Sequence, residues 1–177
     1  MTEVDRNQRI LDAAAQLFLQ NGLRATTMEA VAKAAGVAKP TLYSRFPDKE
    51  TLFRAIGTSV MEGYRITFDQ ALAAPGTPVE RITAAIAAKH AAYHQLLGTS
   101  PHAAEILADH FRLNADGFAH LQQWVVARVS EVLAESGLPD AAERARLILA
   151  AIEGVKTEFS PQDLARLTPL VVRRLLD

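Results

Sequence analysis

Lys39, Thr41, Tyr43, Ser44 and Arg45 crowd into one short run and offer an ammonium, a guanidinium, two aliphatic hydroxyls and a phenol. Such donors suit a polyanion, because base edges in a major groove and the phosphates beside it accept hydrogen bonds from these groups. Pro40 within the run is compatible with the first turn of a helix, where its missing N–H costs nothing. Asp48 can cap a following helix and leave its first free amides beside Lys49, which would make an anion site. The surrounding charge agrees. Residues 24–54 hold six basic and three acidic side chains, net +3, whereas residues 57–177 hold eleven basic and fourteen acidic ones, net −3. The formal net charge of −1 over 177 residues therefore conceals a small basic module on a mildly acidic body.

Other chemistries are poorly supplied. With no cysteine the chain has no disulfide, no thiolate zinc site and no cysteine nucleophile. No nucleophile is paired with a base and no phosphate loop is present, so no catalytic residue and no cofactor is expected. His90 and His94 stand at i, i+4, a spacing at which two imidazoles can meet one metal ion, and Glu105 or Asp109 could add a carboxylate from another helix. A histidine-based metal-binding helical protein, or a metal-responsive regulator, is the alternative reading, although the segment between the two histidines adds no ligand. No apolar run approaches the ~18 residues of a membrane span. Met1 to Arg9 is polar without a signal-peptide core, so a soluble, cytoplasmic chain without membrane contact is expected.

The elements that must position these residues read as helices throughout. Asp5 with Gln8, Thr26 with Glu29, Thr77 with Glu80 and Asp140 with Glu143 have capping-box spacing, and Ser100-Pro101 and Ser160-Pro161 add two N-cap-then-proline starts. Gly22, Gly36, Gly98 and Gly137 mark expected stops. These signals predict about nine helices, near 6–21, 27–34, 39–46, 49–73, 78–97, 101–113, 116–136, 141–158 and 161–176, and an all-α fold. Within residues 28–46 the layout is a helix-turn-helix. Ala32 is small where the helices cross, Gly36 opens the turn, and Val31, Val37, Leu42 and Phe46 supply the shared apolar contacts. The charge shift places a domain boundary inside the fourth helix, separating a basic three-helix helix-turn-helix domain over 1–56 from a helical body over 57–177.

The run Thr26-Thr27-Met28-Glu29, through Ala35-Gly36-Val37-Ala38-Lys39-Pro40-Thr41-Leu42-Tyr43, to Phe46-Pro47-Asp48-Lys49 and Leu52-Phe53, strongly resembles the DNA-binding domain of TetR-family transcriptional repressors. Ile10, Ala14, Leu17, Phe18 and Gly22 look like that family's first helix. The resemblance implies that Thr27, Tyr43 and Lys49 contact phosphates and that Lys39, Thr41, Ser44 and Arg45 occupy base-reading positions, with Pro40 among them. Ala38 departs from the serine often found at its place, so one cap or phosphate contact is missing, and apolar Met28 and Ala30 narrow the footprint further.

For residues 57–177 the resemblance implies only architecture: a ligand-responsive repressor that dimerises through its last two helices, encloses a ligand cavity and binds a palindromic double-stranded DNA operator as a homodimer. Ile148, Ala151, Ile152, Gly154 and Val155 on the eighth helix, with Leu167 and Val171 on the ninth, are the interface candidates. Tyr64, Phe68, Tyr93, His94, Phe111, Phe118 and Trp124 are the candidates for lining a cavity, which would suit a small apolar effector.

Overall fold

The computed structural model describes residues 3–98, 100–155 and 161–176, apart from the side chains at 93, 94, 155, 161 and 162. Among the described residues there are nine helices and no strand: α1 (Glu3–Ala25), α2 (Met28–Ala35), α3 (Lys39–Tyr43), α4 (Lys49–Ala73), α5 (Pro78–Leu97), α6 (Ala103–Leu113), α7 (Ala115–Glu135), α8 (Ala141–Val155) and α9 (Pro161–Leu176). The chain is all-α, as its start and stop signals imply. The third helix is shorter than expected, ending at Tyr43, although the Phe46 amide still donates to the Leu42 carbonyl at 2.9 Å.

The capping signals divide into those that act as caps and those recruited to other work. Thr77 and Glu80 form the reciprocal box: the Thr77 amide donates to the Glu80 carboxylate at 2.8 Å, and the Glu80 amide donates to the Thr77 hydroxyl at 3.3 Å. One box lies a residue away from its expected place. Thr27, not Thr26, caps α2 and accepts from the Ala30 amide at 3.2 Å, while buried Thr26 turns back to donate to the Gly22 carbonyl at 2.9 Å. Gly22 breaks the helical path of α1 with φ 80 and ψ 160, a conformation open to glycine. Asp5 lies inside the first turn of α1 and is not its cap. Ser100 likewise does not start α6. Its hydroxyl donates to the Leu19 carbonyl at 2.6 Å, and α6 begins at Ala103 with no side-chain cap.

The helices gather into two compact units, one of residues Met1–Met61 with Leu96–Phe118 and the other of Glu62–Gln95 with Ala119–Asp177. This division does not coincide with a boundary at residue 56. The whole of α6 joins α1, α2, α3 and the start of α4, where Phe18, Phe53 and His110 meet: the Phe18 and Phe53 rings lie 5.6 Å apart and the Phe53 and His110 rings 6.5 Å apart. Ile10, Ala14, Phe18, Val31, Leu42 and Leu52 form the buried heart of the first unit. In the second, Phe68, Leu72, Ile82, Val129, Leu133, Ile148 and Val172 are fully buried, and the Arg81 guanidinium donates to the Leu72 carbonyl at 2.5 Å.

Candidate nucleic-acid interface

The turn between α2 and α3 is set by backbone geometry. Gly36 adopts φ 64 and ψ 37, its amide donates to the Lys33 carbonyl at 3.2 Å, and the Val37 amide donates to the Ala32 carbonyl at 3.0 Å. These paired bonds close α2 in a left-handed cap that glycine accepts without steric cost. Arg9 of α1 reinforces the same end by donating to the Ala35 carbonyl at 2.6 Å. A contact across 26 residues leaves no sequence signal, so this one emerges only from the fold. Past the turn, Leu42 is fully buried and anchors α3, and Ala38 at its N-cap makes no side-chain hydrogen bond.

Anchoring through Leu42 leaves Lys39, Pro40, Tyr43 and Ser44 exposed and Thr41 half-buried. Three of these are tethered nearby. The Lys39 ammonium stands 3.4 Å from the Glu29 carboxylate and the Tyr43 hydroxyl donates to the same carboxylate at 3.5 Å, while the Ser44 hydroxyl donates to the Thr41 carbonyl at 3.0 Å. Hydrogen bonding from its own backbone, then from Lys39, holds the Glu29 carboxyl below its ordinary range. Glu29 was not among the expected contact residues. Its place one helical turn before Lys33, on the exposed side of α2, is the sequence signal that could have found it.

Two expected contact residues are committed inside the protein. Arg45, expected to read bases, donates to Asn7 at 2.5 Å and to Glu3 at 2.8 Å, and its side chain is only 20% exposed. It joins α3 to the start of α1 and does not stand free with the reading residues. Lys49 donates to the Arg24 carbonyl at 2.8 Å and the Thr26 carbonyl at 3.0 Å, fastening the start of α4 to the α1–α2 junction. Asp48 caps α4 as expected, taking the Thr51 amide at 2.6 Å, and this bond lowers its pKa. The ionised cap occupies the helix terminus with negative charge, so the anticipated anion site beside Lys49 already holds a carboxylate. Thr27 remains exposed at the N-terminus of α2.

The comparisons with known proteins agree with this geometry. Residues 10–56 match the profile described as bacterial regulatory proteins, tetR family. The chain is 29% identical over 171 residues to the HTH-type transcriptional regulator UidR of Escherichia coli K12, covering 89% of this chain and 83% of that protein. It is 44% identical over 69 residues to the HTH-type transcriptional regulator YhgD of Bacillus subtilis, covering 39% of this chain and 36% of that one. Residues 10–56 are similar to the DNA-binding domain of the TetR family. Its fold is similar to the crystal structure of a transcriptional regulator from Cytophaga hutchinsonii, with a TM-score of 0.77, 23% identity, and coverage of 96% of this chain and 95% of that one.

Beyond the helices matched to that family, the expected cavity residues fall in both compact units. Tyr64, Phe68 and Trp124 cluster in the second unit, with ring centroids 5.4 and 5.7 Å apart and Arg65 over the Trp124 ring at 5.3 Å. Phe111 and Phe118 belong to the first unit and stack on each other at 4.4 Å. The side chains of Tyr93 and His94 lie outside the described residues. The interface candidates also separate. Ile148 and Ile152 are buried within the chain, so they serve the intramolecular α8–α9 core. Leu167 and Val171 are half-buried, lining a crevice with Ile152, Leu164 and Thr168. Ala151 is half-buried, Gly154 is exposed with open space at its Cβ position, and the Val155 side chain lies outside the described residues. Among the described residues, the large apolar side chains these helices expose are Leu147 and Leu170, 57% and 56% accessible. Among the described residues no three histidine or carboxylate side chains group to hold a metal ion, and no helix is long and apolar enough to cross a membrane.

Proposed function

We propose that this chain is a TetR-family transcriptional regulator, a ligand-responsive repressor that binds a palindromic operator in the cytoplasm as a homodimer. The observation that carries the DNA contact is the outward face of α3, where burial of Leu42 presents Lys39, Thr41, Tyr43 and Ser44 together. In this reading Lys39, Thr41 and Ser44 read bases, while Tyr43 and Thr27 hold phosphates. Lys49 supports phosphate binding from its place beside Thr26, and Arg45 positions α3. Selection of bound fragments from random duplex DNA tests the reading. A shared palindrome whose preferred bases change in Lys39→Ala supports it, whereas an unchanged preference in Lys39→Ala and Ser44→Ala would remove α3 as the reading element.

Dimerisation follows from symmetry, since two recognition helices must reach major grooves one turn apart. On α8 the exposed stripe Leu147, Ala150 and Gly154 recurs at helical spacing, and Leu170 is exposed on α9. This face, with half-buried Ala151, Leu167 and Val171 at its margin, is the proposed interface. The effector is a small apolar molecule, for which the Tyr64, Phe68 and Trp124 cluster supplies aromatic surface. Its binding would alter operator affinity through α4, which starts at Lys49 and runs unbroken past Phe68. Thermal-shift screening of hydrophobic compounds, followed by operator titration, tests both halves; stabilisation with unchanged operator affinity would refute the coupling.

A further inference from the structure

One buried titratable side chain takes no part in the proposed DNA contact. His110 of α6 is 7% exposed and sits among the rings of Phe53, Phe111 and Phe118, the last 4.7 Å away in an edge-to-face arrangement. The Asn114 side-chain amide donates to its Nδ1 at 3.1 Å, so Nδ1 is the bare acceptor and the proton of the neutral ring lies on Nε2. Nε2 is buried with no hydrogen-bond partner. The other side of this pair rests on α4. A Cβ at Gly57 would stand 2.6 Å from His110 Cε1, 2.7 Å from Nδ1 and 2.8 Å from the Asn114 amide nitrogen. The helix therefore carries glycine where the imidazole edge meets its backbone. A larger residue would force the His110 and Asn114 side chains, or α6 with them, to shift.

We propose that neutral His110 is a positioning residue, seating α6 on Gly57 of α4 and so bracing the helices that bind DNA, and that a proton taken up at Nδ1 unseats it. The inference rests on the DNA-binding reading for its consequence, but not for the seat itself. A second proton has only Nδ1 to occupy, where it would oppose the donor of Asn114 and bring a charge between phenylalanine rings. No counter-charge waits there. On α4, Arg54 donates to the Leu113 carbonyl at 3.3 Å and pairs with Glu50 at 3.7 Å. On α6, Asp109 pairs with Arg112 at 2.9 Å, and Glu105 lies 3.5 Å from Arg24 of α1 and 3.9 Å from His102. Asp116 of α7 is exposed. Burial alone lowers the basicity of His110.

The sign follows from linkage. An unseated, solvated imidazole has the ordinary pKa of about 6.5, and the seated one takes its proton only at lower pH. Above that ordinary value both states are neutral and the seat is fully favoured. As pH falls through about 6.5 the unseated state gains the proton first, and the advantage of the seat declines by at most about tenfold per pH unit until the seated ring also titrates.

The test uses the full chain and a duplex selected from random DNA, with affinity measured by fluorescence anisotropy from pH 7.5 to 5.5 at constant ionic strength. His110→Asn keeps an acceptor for Asn114 and does not titrate, so comparison with it removes the effects of the other histidines. The wild type is expected to lose more affinity than His110→Asn over this range, the excess bounded by the one-proton limit of about tenfold per pH unit. Parallel profiles would overturn the proposal. Gly57→Ala is expected to weaken binding already at pH 7.5; if it does not fold, the comparison with His110→Asn decides alone. A proton NMR titration reads the seat without DNA. The Gly57 amide is expected to shift with the His110 Cε1 proton, at a midpoint below about 6.5, and an indifferent Gly57 overturns the seat. A chain that binds no duplex at any pH refutes the DNA-binding reading, and the NMR titration then decides the seat separately.

Discussion

At Glu29 one carboxylate meets both the Lys39 ammonium and the Tyr43 hydroxyl, so a phosphate or base approaching either residue must displace it. Removing this competitor frees two donors on the face that meets DNA. Glu29→Gln is therefore expected to tighten binding to selected and unrelated duplexes alike, by roughly a few-fold at low salt, with a smaller ratio between them. Parallel titrations on both duplexes check this, and unchanged affinity for unrelated DNA would contradict it. Lys49 is expected to act twice. Lys49→Ala removes two bonds to the α1–α2 junction, so it should lower the urea midpoint of the free protein as well as its affinity for every duplex. The carboxyls of Glu29, Asp48 and Glu80 are all held below their ordinary range. The stability they lend is present above about pH 4.5 and is lost as pH falls through their lowered values, so the urea midpoint should decline there.

For the α2–α3 pair, three devices set the angle: the Thr27 cap, the Gly36 turn and the buried Leu42. They differ in strength. Thr27→Ala removes one amide's partner and is expected to cost about 1 kcal/mol. Leu42→Ala leaves a cavity in a fully buried site and is expected to cost about 2–5 kcal/mol, enough to release α3. Gly36→Ala would strain a left-handed residue and bring a Cβ within 2.9 Å of the Arg9 guanidinium, loosening the bond from Arg9 to Ala35. Denaturant unfolding followed by circular dichroism ranks the three. A ranking in which Thr27→Ala exceeds Leu42→Ala would show that capping, and not burial, sets the angle.

For the whole molecule, the proposed dimer makes opposite demands on neighbouring residues of α8. Leu147 is exposed and Ile148 is fully buried. Leu147→Glu should leave the monomer folded and dissociate the dimer, because an unpaired carboxylate is costly in an apolar interface. Ile148→Ala should instead lower the unfolding midpoint, with a loss of about 2–5 kcal/mol. Sedimentation equilibrium beside thermal unfolding separates the two effects. A Leu147→Glu protein that keeps the wild-type mass would move the interface away from α8.

The identity and order of the helices were legible in the sequence, because caps, glycine stops and 3.6-residue periodicity are local signals carried by neighbouring residues. So was the exposed run of α3, since Leu42, with Phe46 four residues on, defines which side is buried. Partners distant in the chain were not legible. Arg45 faces outward by periodicity, yet Asn7 and Glu3 hold it, and nothing local to residue 45 encodes their approach. The same applies to Ile148, one position from exposed Leu147: periodicity identified an apolar stripe on α8, but only packing against α9 decided which edge is consumed inside the chain. His110 belongs to this class as well. Its sequence neighbours describe an ordinary amphipathic helix, and only tertiary packing lays its ring on Gly57, far earlier in the chain, because the contact depends on a side chain and a bare backbone from two helices and not on either alone.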